Sequence, residues 1–339
     1  MHFAQKFVTI GEQSSGAIRG TVRGADICEF NELAVPVWDA SIVQMGSGHL
    51  NASVEFFAAE GFSVHRESTS QSFQTLGVMK TGLIAFGIPE DESPDARWWG
   101  APLPSGRLPF VRSRLELAEN SQANGALTVL TMDEAEFFQI FHRLTGLEAG
   151  FFLREGHFVS IRPAALQQLR AFLTELLIHT DTHERCSIGF ADIVAALADA
   201  LELTGTVDFS DARKASLVEK VLHEAGKSGF EISVPEISCR LKVSRRSIEY
   251  AFRERLSISP GAYFTLRRLD LCKRALFEAD PDDSTVSAIA THYGFHELGR
   301  FASIYRNQFD ELPSEALRSS RRPVPLSVAP INRSSRTLF

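Results

Sequence analysis

Apolar and polar positions alternate with a period of two over much of the first 160 residues, and the period lengthens to that of a helix thereafter. Ala52, Val54 and Phe56 alternate, Glu60-Gly61 supplies a turn, and Phe62 and Val64 alternate again, which predicts a hairpin. Residues 82–86, 108–117 and 126–130 read as further strands. One helix interrupts them: Thr131 and Glu134 have the spacing of a capping box, and Phe137, Phe138, Phe141 and Leu144 follow at helical spacing. From Ile161 the chain turns helical. Leu166, Leu169, Phe172, Leu173, Leu176 and Leu177 make one apolar face behind Pro163, and Ile188, Ile193, Val194, Leu197 and Leu201 make a second. These two form a helical hairpin that packs on the strand-rich part or on a second subunit.

Composition adds a division of charge. The 339 residues, about two domains by length, are 44% hydrophobic and carry a net charge of −7. Taken alone, that sum argues against nucleic acid as a partner, because phosphate binders usually present a basic surface. Counted in two blocks, residues 1–210 sum to −12 and residues 211–339 to +5. The four cysteines, Cys28, Cys186, Cys239 and Cys272, form no C-x-x-C pair, which speaks against a disulfide framework or a zinc knuckle. No signal-peptide pattern follows Met1, and no apolar run reaches the roughly 18 residues of a membrane span. A reduced, cytoplasmic protein without membrane partners is the expectation.

The basic end repeats one device twice. Ser233 and Glu236 form a capping box with Pro235 in the first turn, Lys242-Val243-Ser244 is a turn, and Ser244 caps the next helix. That helix buries Ile248, Ala251 and Phe252 and leaves Arg245, Arg246, Ser247, Glu249, Tyr250 and Arg253 outward. Forked guanidinium groups near the start of a surface helix suit the major groove, since Arg can bind guanine O6 and N7 together. A solvated charged face explains any one of these arginines equally well. The second unit runs from Thr285 to His292, turns at Gly294-Phe295, and continues from Glu297 to Phe309 with Phe301, Ile304, Tyr305 and Phe309 inward. A helix starting at Ser259-Pro260 and reaching about Glu278 joins the units, so both can reach successive major grooves about 34 Å apart.

At these residues the chain closely resembles the AraC/XylS family of bacterial transcription regulators. The match runs from Val234-Pro235-Glu236-Ile237 through Val243-Ser244-Arg245-Arg246 and Ser259-Pro260-Gly261-Ala262-Tyr263 to Arg268-Leu269. It continues in Gly294-Phe295-His296-Glu297-Leu298-Gly299-Arg300-Phe301, Tyr305-Arg306 and Phe309 and ends at Pro313. The resemblance implies a seven-helix DNA-binding domain behind a sensing or dimerising domain, with promoter DNA, RNA polymerase and a small-molecule effector as partners of a homodimer. By the same carry-over, Arg246, Glu249 and Tyr250 face base edges, with Leu298, Gly299 and Ser303 as their counterparts in the second helix. Arg253, His296, Arg300 and Arg306 are the phosphate candidates. Ser257 and Asp310 stand where the family usually has Gly after each recognition helix, which implies C-caps that carry a left-handed-region cost unless they are rebuilt. Cys272 replaces a usual Ala and reads as a small buried hydrophobe. The stretch Gly82-Leu83-Ile84-Ala85-Phe86-Gly87-Ile88-Pro89 is similar to the front domain of the ethanolamine-operon regulator branch.

Other chemistry is sparse. His179, His183 and Cys186 lie in a polar inter-helix loop and make an incomplete ligand set, so no metal and no cofactor is expected. No nucleophile elbow, P-loop or G-x-G-x-x-G is present, so no catalytic constellation supports an enzyme. Arg97, Trp98 and Trp99 are the candidate effector-pocket residues, against the plainer reading that they cover a barrel end. The expected fold is α+β. A β-rich, cupin-like barrel occupies residues 1–160, a helical hairpin 161–203, a linker 204–210, an all-α DNA-binding domain 211–320, and a disordered basic tail 321–339. The expected function is a sequence-specific regulator, an activator answering to an effector. The alternatives are a front domain that only oligomerises, or a cupin-like enzyme with a DNA-binding appendage.

Overall fold

A computed structural model of the chain describes residues 8–12, 18–34, 38–90, 96–99, 101–113, 116–153, 158–178, 189–202 and 212–319. The expected linker 204–210, the basic tail 321–339 and the His179–Cys186 segment lie outside these residues. The N-terminal half is built on two antiparallel sheets. The larger runs β1 (Val8–Glu12), β2 (Ile18–Ala25), β4 (Ala52–Ala59), β5 (Phe62–Thr69), β12 (Gly125–Asp133), β7 (Leu83–Pro89), β10 (Arg107–Arg112) and β13 (Phe158–Ser160). The smaller runs β3 (Trp38–Gln44), β6 (Phe73–Met79), β11 (Glu116–Asn120), β8 (Arg97–Trp98) and β9 (Ala101–Pro102). The predicted hairpin is β4–β5, with Ala59 opposite Phe62 and Gly61 at φ 84° in the turn.

Both faces of the larger sheet are covered. Ile84, Phe86 and Ile88 of β7 face helices, while Ala85 and Gly87 face the cavity between the sheets. That is why this strand reads as a continuous apolar run instead of an alternating one. The helices are α2 (Glu134–Thr145), α3 (Ala149–Phe152), α4 (Pro163–Ile178) and α5 (Phe190–Ala200). Leu169, Leu173, Leu176 and Leu177 of α4 and Ile193, Val194 and Leu197 of α5 are buried in one core with Phe62, Phe86 and Leu130 of the sheet. The hairpin's apolar faces are therefore spent within the chain.

Three details depart from the sequence reading. Residues 108–117 are not one strand: the chain leaves the larger sheet after Arg112 and re-enters the smaller one at Glu116. Thr131 caps nothing, because it is wholly buried in β12 opposite Ser63 and Ala85. Asp133 caps α2 instead, accepting the Glu136 N–H at 2.9 Å, worth about 1 kcal/mol. A further helix, α1 (Ile27–Ala34), precedes β3 and was not foreseen. Asn31 fixes it there: its amide donates to the Ile27 and Ile42 carbonyls and accepts the Ile42 N–H, each at 2.8 Å.

Seven helices follow among the described residues: α6 (Ala212–Gly226), α7 (Val234–Leu241), α8 (Arg245–Leu256), α9 (Pro260–Glu278), α10 (Val286–His292), α11 (Leu298–Phe309) and α12 (Pro313–Ser319). The first unit has its own core of Val221, Ile237, Ile248, Phe252 and Tyr263. The second unit shares its core with the N-terminal half, where Leu276, Phe301, Tyr305 and Phe309 meet Ile27, Phe30, Ile42 and Phe73. The seam is also hydrogen-bonded. Gln308 donates to the Gln44 carbonyl at 3.0 Å, and Gln44 returns the bond to the Gln308 carbonyl at 2.9 Å. Arg274 reaches Asn31 at 2.7 Å, and Arg267 reaches the Ser41 hydroxyl at 2.6 Å.

Candidate nucleic-acid interface and interior cavity

In the first unit the capping box forms as its spacing predicts. Ser233 accepts the Glu236 N–H, and the Glu236 carboxylate accepts the Ser233 N–H at 2.9 Å. Lys242 ends α7 in the left-handed region at φ 54°, and the Ser238 hydroxyl donates to the Val243 carbonyl across the turn at 2.6 Å. Ser244 then caps α8 by accepting the Ser247 N–H at 3.1 Å. This fixes which side of α8 faces out. Ile248 and Phe252 are buried, while Arg245, Arg246, Ser247, Glu249, Tyr250 and Arg253 are all exposed. Tyr250 keeps 67% of its surface open.

The second turn needs its glycine twice over. Gly294 sits at φ 76°, and a Cβ there would come within 2.9 Å of Arg268 and 3.0 Å of Glu231. Arg268 donates to the Gly294 carbonyl and lies 4.9 Å over the Phe295 ring, pinning the turn to α9. His296, Leu298, Gly299, Arg300, Ser303 and Arg306 are exposed on or beside α11. The Ser303 hydroxyl donates back to the Gly299 carbonyl at 3.0 Å, so it is engaged within its own helix. The outward face of α11 is thus poorer in free hydrogen-bonding groups than that of α8. Ser257 and Asp310 take φ 55° and 56°, and their N–H groups bond to the Arg253 and Arg306 carbonyls. Both C-caps are left-handed without glycine, as the sequence implies.

A second feature lies between the sheets, a cavity of about 100 Å³. Across the larger sheet, Phe56, His65 and Val129 stand in one register row, with Val54, Glu67 and Leu127 in the next. Across the smaller sheet the row is Ile42, Thr75, Glu119 and Trp98. All of these side chains line the cavity. Burial pushes the His65 imidazole from 6.5 down to about 4 and the Glu67 carboxyl from 4.5 up to about 7. Burial, and then the charge of Glu67, push Glu119 well above the ordinary carboxyl range.

Of the three residues expected to form a pocket, Trp98 lines this cavity and the other two do not. Arg97 sits opposite Asn120 and Pro102 in the small sheet. Trp99 takes φ 50° and packs edge-on against Phe158 at 5.5 Å, while its carbonyl accepts a hydrogen bond from Arg255 at 3.1 Å. Sequence reasoning missed His65, Glu67 and Glu119. The signal was available only as polar residues at alternate positions of strands, which reads equally as a solvent face. It also missed Arg255, which is 6% exposed at the end of α8 and receives a bond from Asn120 on its carbonyl at 2.8 Å. Among the described residues no group of three or more His, Cys, Asp or Glu is arranged to hold a metal ion, and no helix is long and apolar enough to cross a membrane.

Comparison with known proteins places this geometry. Residues 237–319 match the family described as a helix-turn-helix domain. The XylDLEGF operon transcriptional activator of Pseudomonas putida is 30% identical over 178 residues, covering 47% of this chain and 52% of that protein. The probable thc operon regulatory protein of Rhodococcus erythropolis is 33% identical over 88 residues, covering 26% of each. Among solved structures, a probable AraC family transcriptional regulator from Rhodopseudomonas palustris is 32% identical, with a TM-score of 0.28, covering 31% of this chain and 97% of that one. The chain spans about half the length of the first of these relatives.

Proposed function

We propose, from the premise that residues 237–319 are an AraC-type helix-turn-helix domain, that the chain regulates transcription by binding promoter DNA through α8 and α11. The observation that carries this is the exposed face of α8, where Arg245, Arg246, Glu249 and Tyr250 stand free of the core on a helix capped and oriented by its own turn. In this reading α8 supplies most base recognition, because Arg246 can donate two parallel hydrogen bonds to a guanine edge. The second helix, with Leu298, Gly299 and a self-bonded Ser303, mainly sets register, and Arg253, His296, Arg300 and Arg306 meet phosphates. Activation through RNA polymerase, and pairing of two copies on two half-sites, extend the same reading. The N-terminal half senses a small molecule. A cavity with buried ionisable groups supports this over a front domain that only oligomerises, since a packed core leaves no such space.

Binding of the full chain to the adjacent intergenic DNA, compared with random duplex, tests the reading. Arg246→Ala should weaken specific binding by about 1–3 kcal/mol and flatten base preference at one position. Arg306→Ala should weaken both duplexes alike. Equal losses on both duplexes for Arg246→Ala would overturn the assignment of base readout to α8.

A further inference from the structure

The cavity between the sheets holds ionisable side chains but no cationic one. His65 and Glu67 line it from β5 and Glu119 from β11, and no lysine or arginine is among its lining residues. Glu119 is 7% exposed, and no hydrogen bond or ion pair meets its carboxyl group among the described residues. His65 Nε2 stands 3.9 Å from Glu67 Oε2. The imidazole is held neutral by burial, its pKa down to about 4, so it brings no positive charge to the acids. The remaining wall is aromatic and aliphatic, with Trp38, Phe56, Trp98 and Phe110 prominent.

We infer that this cavity binds a small alkylamine, its ammonium group between Glu119 and Glu67 and its alkyl chain against the aromatic wall. The inference rests on reading the N-terminal half as a sensor and names the chemistry of what it senses. A carboxylate ligand would find no cation here and could be met only by hydrogen bonds from the protonated acids, whereas an ammonium group forms a full ion pair once their proton has left. A plain hydrocarbon would fill the space but leave the Glu119 carboxyl unmet. An ammonium group answers both, because it donates charge-assisted hydrogen bonds to two acids and lies against ring faces that attract cations. Size limits the body of the ligand. About 100 Å³ is less than the roughly 150 Å³ of an apolar cavity that takes benzene, so the body of the ligand is smaller than a ring, a short alkyl chain. The acids hold a proton in the empty cavity, since burial raises both of them. An ammonium ion entering must therefore displace that proton to solvent.

Calorimetric titration of the full chain at pH 7 with n-propylamine, n-butylamine and isobutylamine, against propionate and butyrate, tests this. At least one amine should bind, the carboxylates should not, and binding should release protons, read as an enthalpy that varies with the ionisation heat of the buffer. Glu119→Gln should weaken the amine by about tenfold or more and reduce the proton release, and Glu67→Gln should do so as a second variant. Carboxylates binding as tightly as amines, an amine unaffected by both variants, or zinc chloride alone stabilising the chain as strongly would each overturn the amine assignment. A footprint on promoter DNA that persists but ignores every ligand would instead remove the sensor reading itself, leaving DNA binding intact.

Discussion

Glu119 and Glu67 carry a consequence for stability as well as for ligand choice. In the folded chain both hold protons that the unfolded chain has released above about pH 4.5, so the stability they confer falls as pH rises. His65 works the other way: unfolding lets it take up a proton below 6.5 that the folded chain refuses until about 4. Between those values the histidine offsets one acid. Above 6.5 nothing offsets them. The chain should therefore lose stability from pH 6.5 to 8, by no more than about 1.4 kcal/mol per pH unit for each group still titrating. Glu119→Gln removes the larger shift and should be favoured over the native chain more at pH 8 than at pH 6. Urea unfolding at both values checks it, and an identical difference at the two would sink the idea. None of this was legible in the sequence, because alternate polar residues on a strand mark a wet face until a second sheet is known to cover it. The caps at Ser233, Ser244 and Ser259 were legible, since a cap is decided within four residues. Thr131 and Glu134 had the same spacing but lost to distant strand pairing.

Elements follow the same division between local and distant causes. The helices α7 to α12 match their expected starts closely, because period, cap and proline agree within each segment. The break of residues 108–117 into β10 and β11 depends on which sheet each half joins, and no local residue states that. Helix α1 is eight residues long, too short for periodicity to speak. Its reason to exist is tertiary: Ile27 and Phe30 bury into the core shared with α9 and α11, and Asn31 ties it to β3. Asn31 also accepts from Arg274 of α9, so one side chain holds a helix, a strand and the DNA-binding half together. Asn31→Ala leaves the Ile42 N–H without its partner in a buried place, and should cost about 1–3 kcal/mol in chemical denaturation. Asn31→Asp keeps the acceptor for Ile42 and Arg274 but loses both donated bonds, so it should recover only part of that loss. A neutral Asn31→Ala would show that α1 is held by its apolar residues alone.

At the scale of the molecule, the two halves meet along a continuous seam, and the seam runs beside the cavity. Phe30, Ile42, Glu119 and Trp98 line the cavity. Their chain neighbours Asn31, Ser41, Asn120 and Trp99 bond to Arg274, Arg267 and Arg255 of the helical half. The geometry of a strand explains most of this, since adjacent residues point to opposite sides. A ligand that shifts the cavity rows moves residues directly bonded to the end of α8 and the middle of α9. The charge division takes on meaning here too. The acidic front half, at −12, is held against a helical half whose residues 211–320 sum to only +1, so in the proposed reading DNA affinity depends on where a few arginines stand. The seam also makes a claim about cooperativity. Gln44 and Gln308 exchange hydrogen bonds between their amides and each other's carbonyls, and the Gly48 N–H adds a third bond to the Gln308 carbonyl. Both glutamines are buried. Gln308→Leu keeps the volume but removes the Gln308 amide from the Gln44 carbonyl and from the Gly46 carbonyl, which keeps the Gln44 amide, a loss of about 1–3 kcal/mol. Because the apolar core is continuous across the seam, the native chain should melt in one calorimetric transition. Gln308→Leu should lower its midpoint and widen it, or separate it into two, as the halves uncouple. An unchanged single transition would mean that the apolar contacts alone carry the coupling between cavity and DNA-binding half.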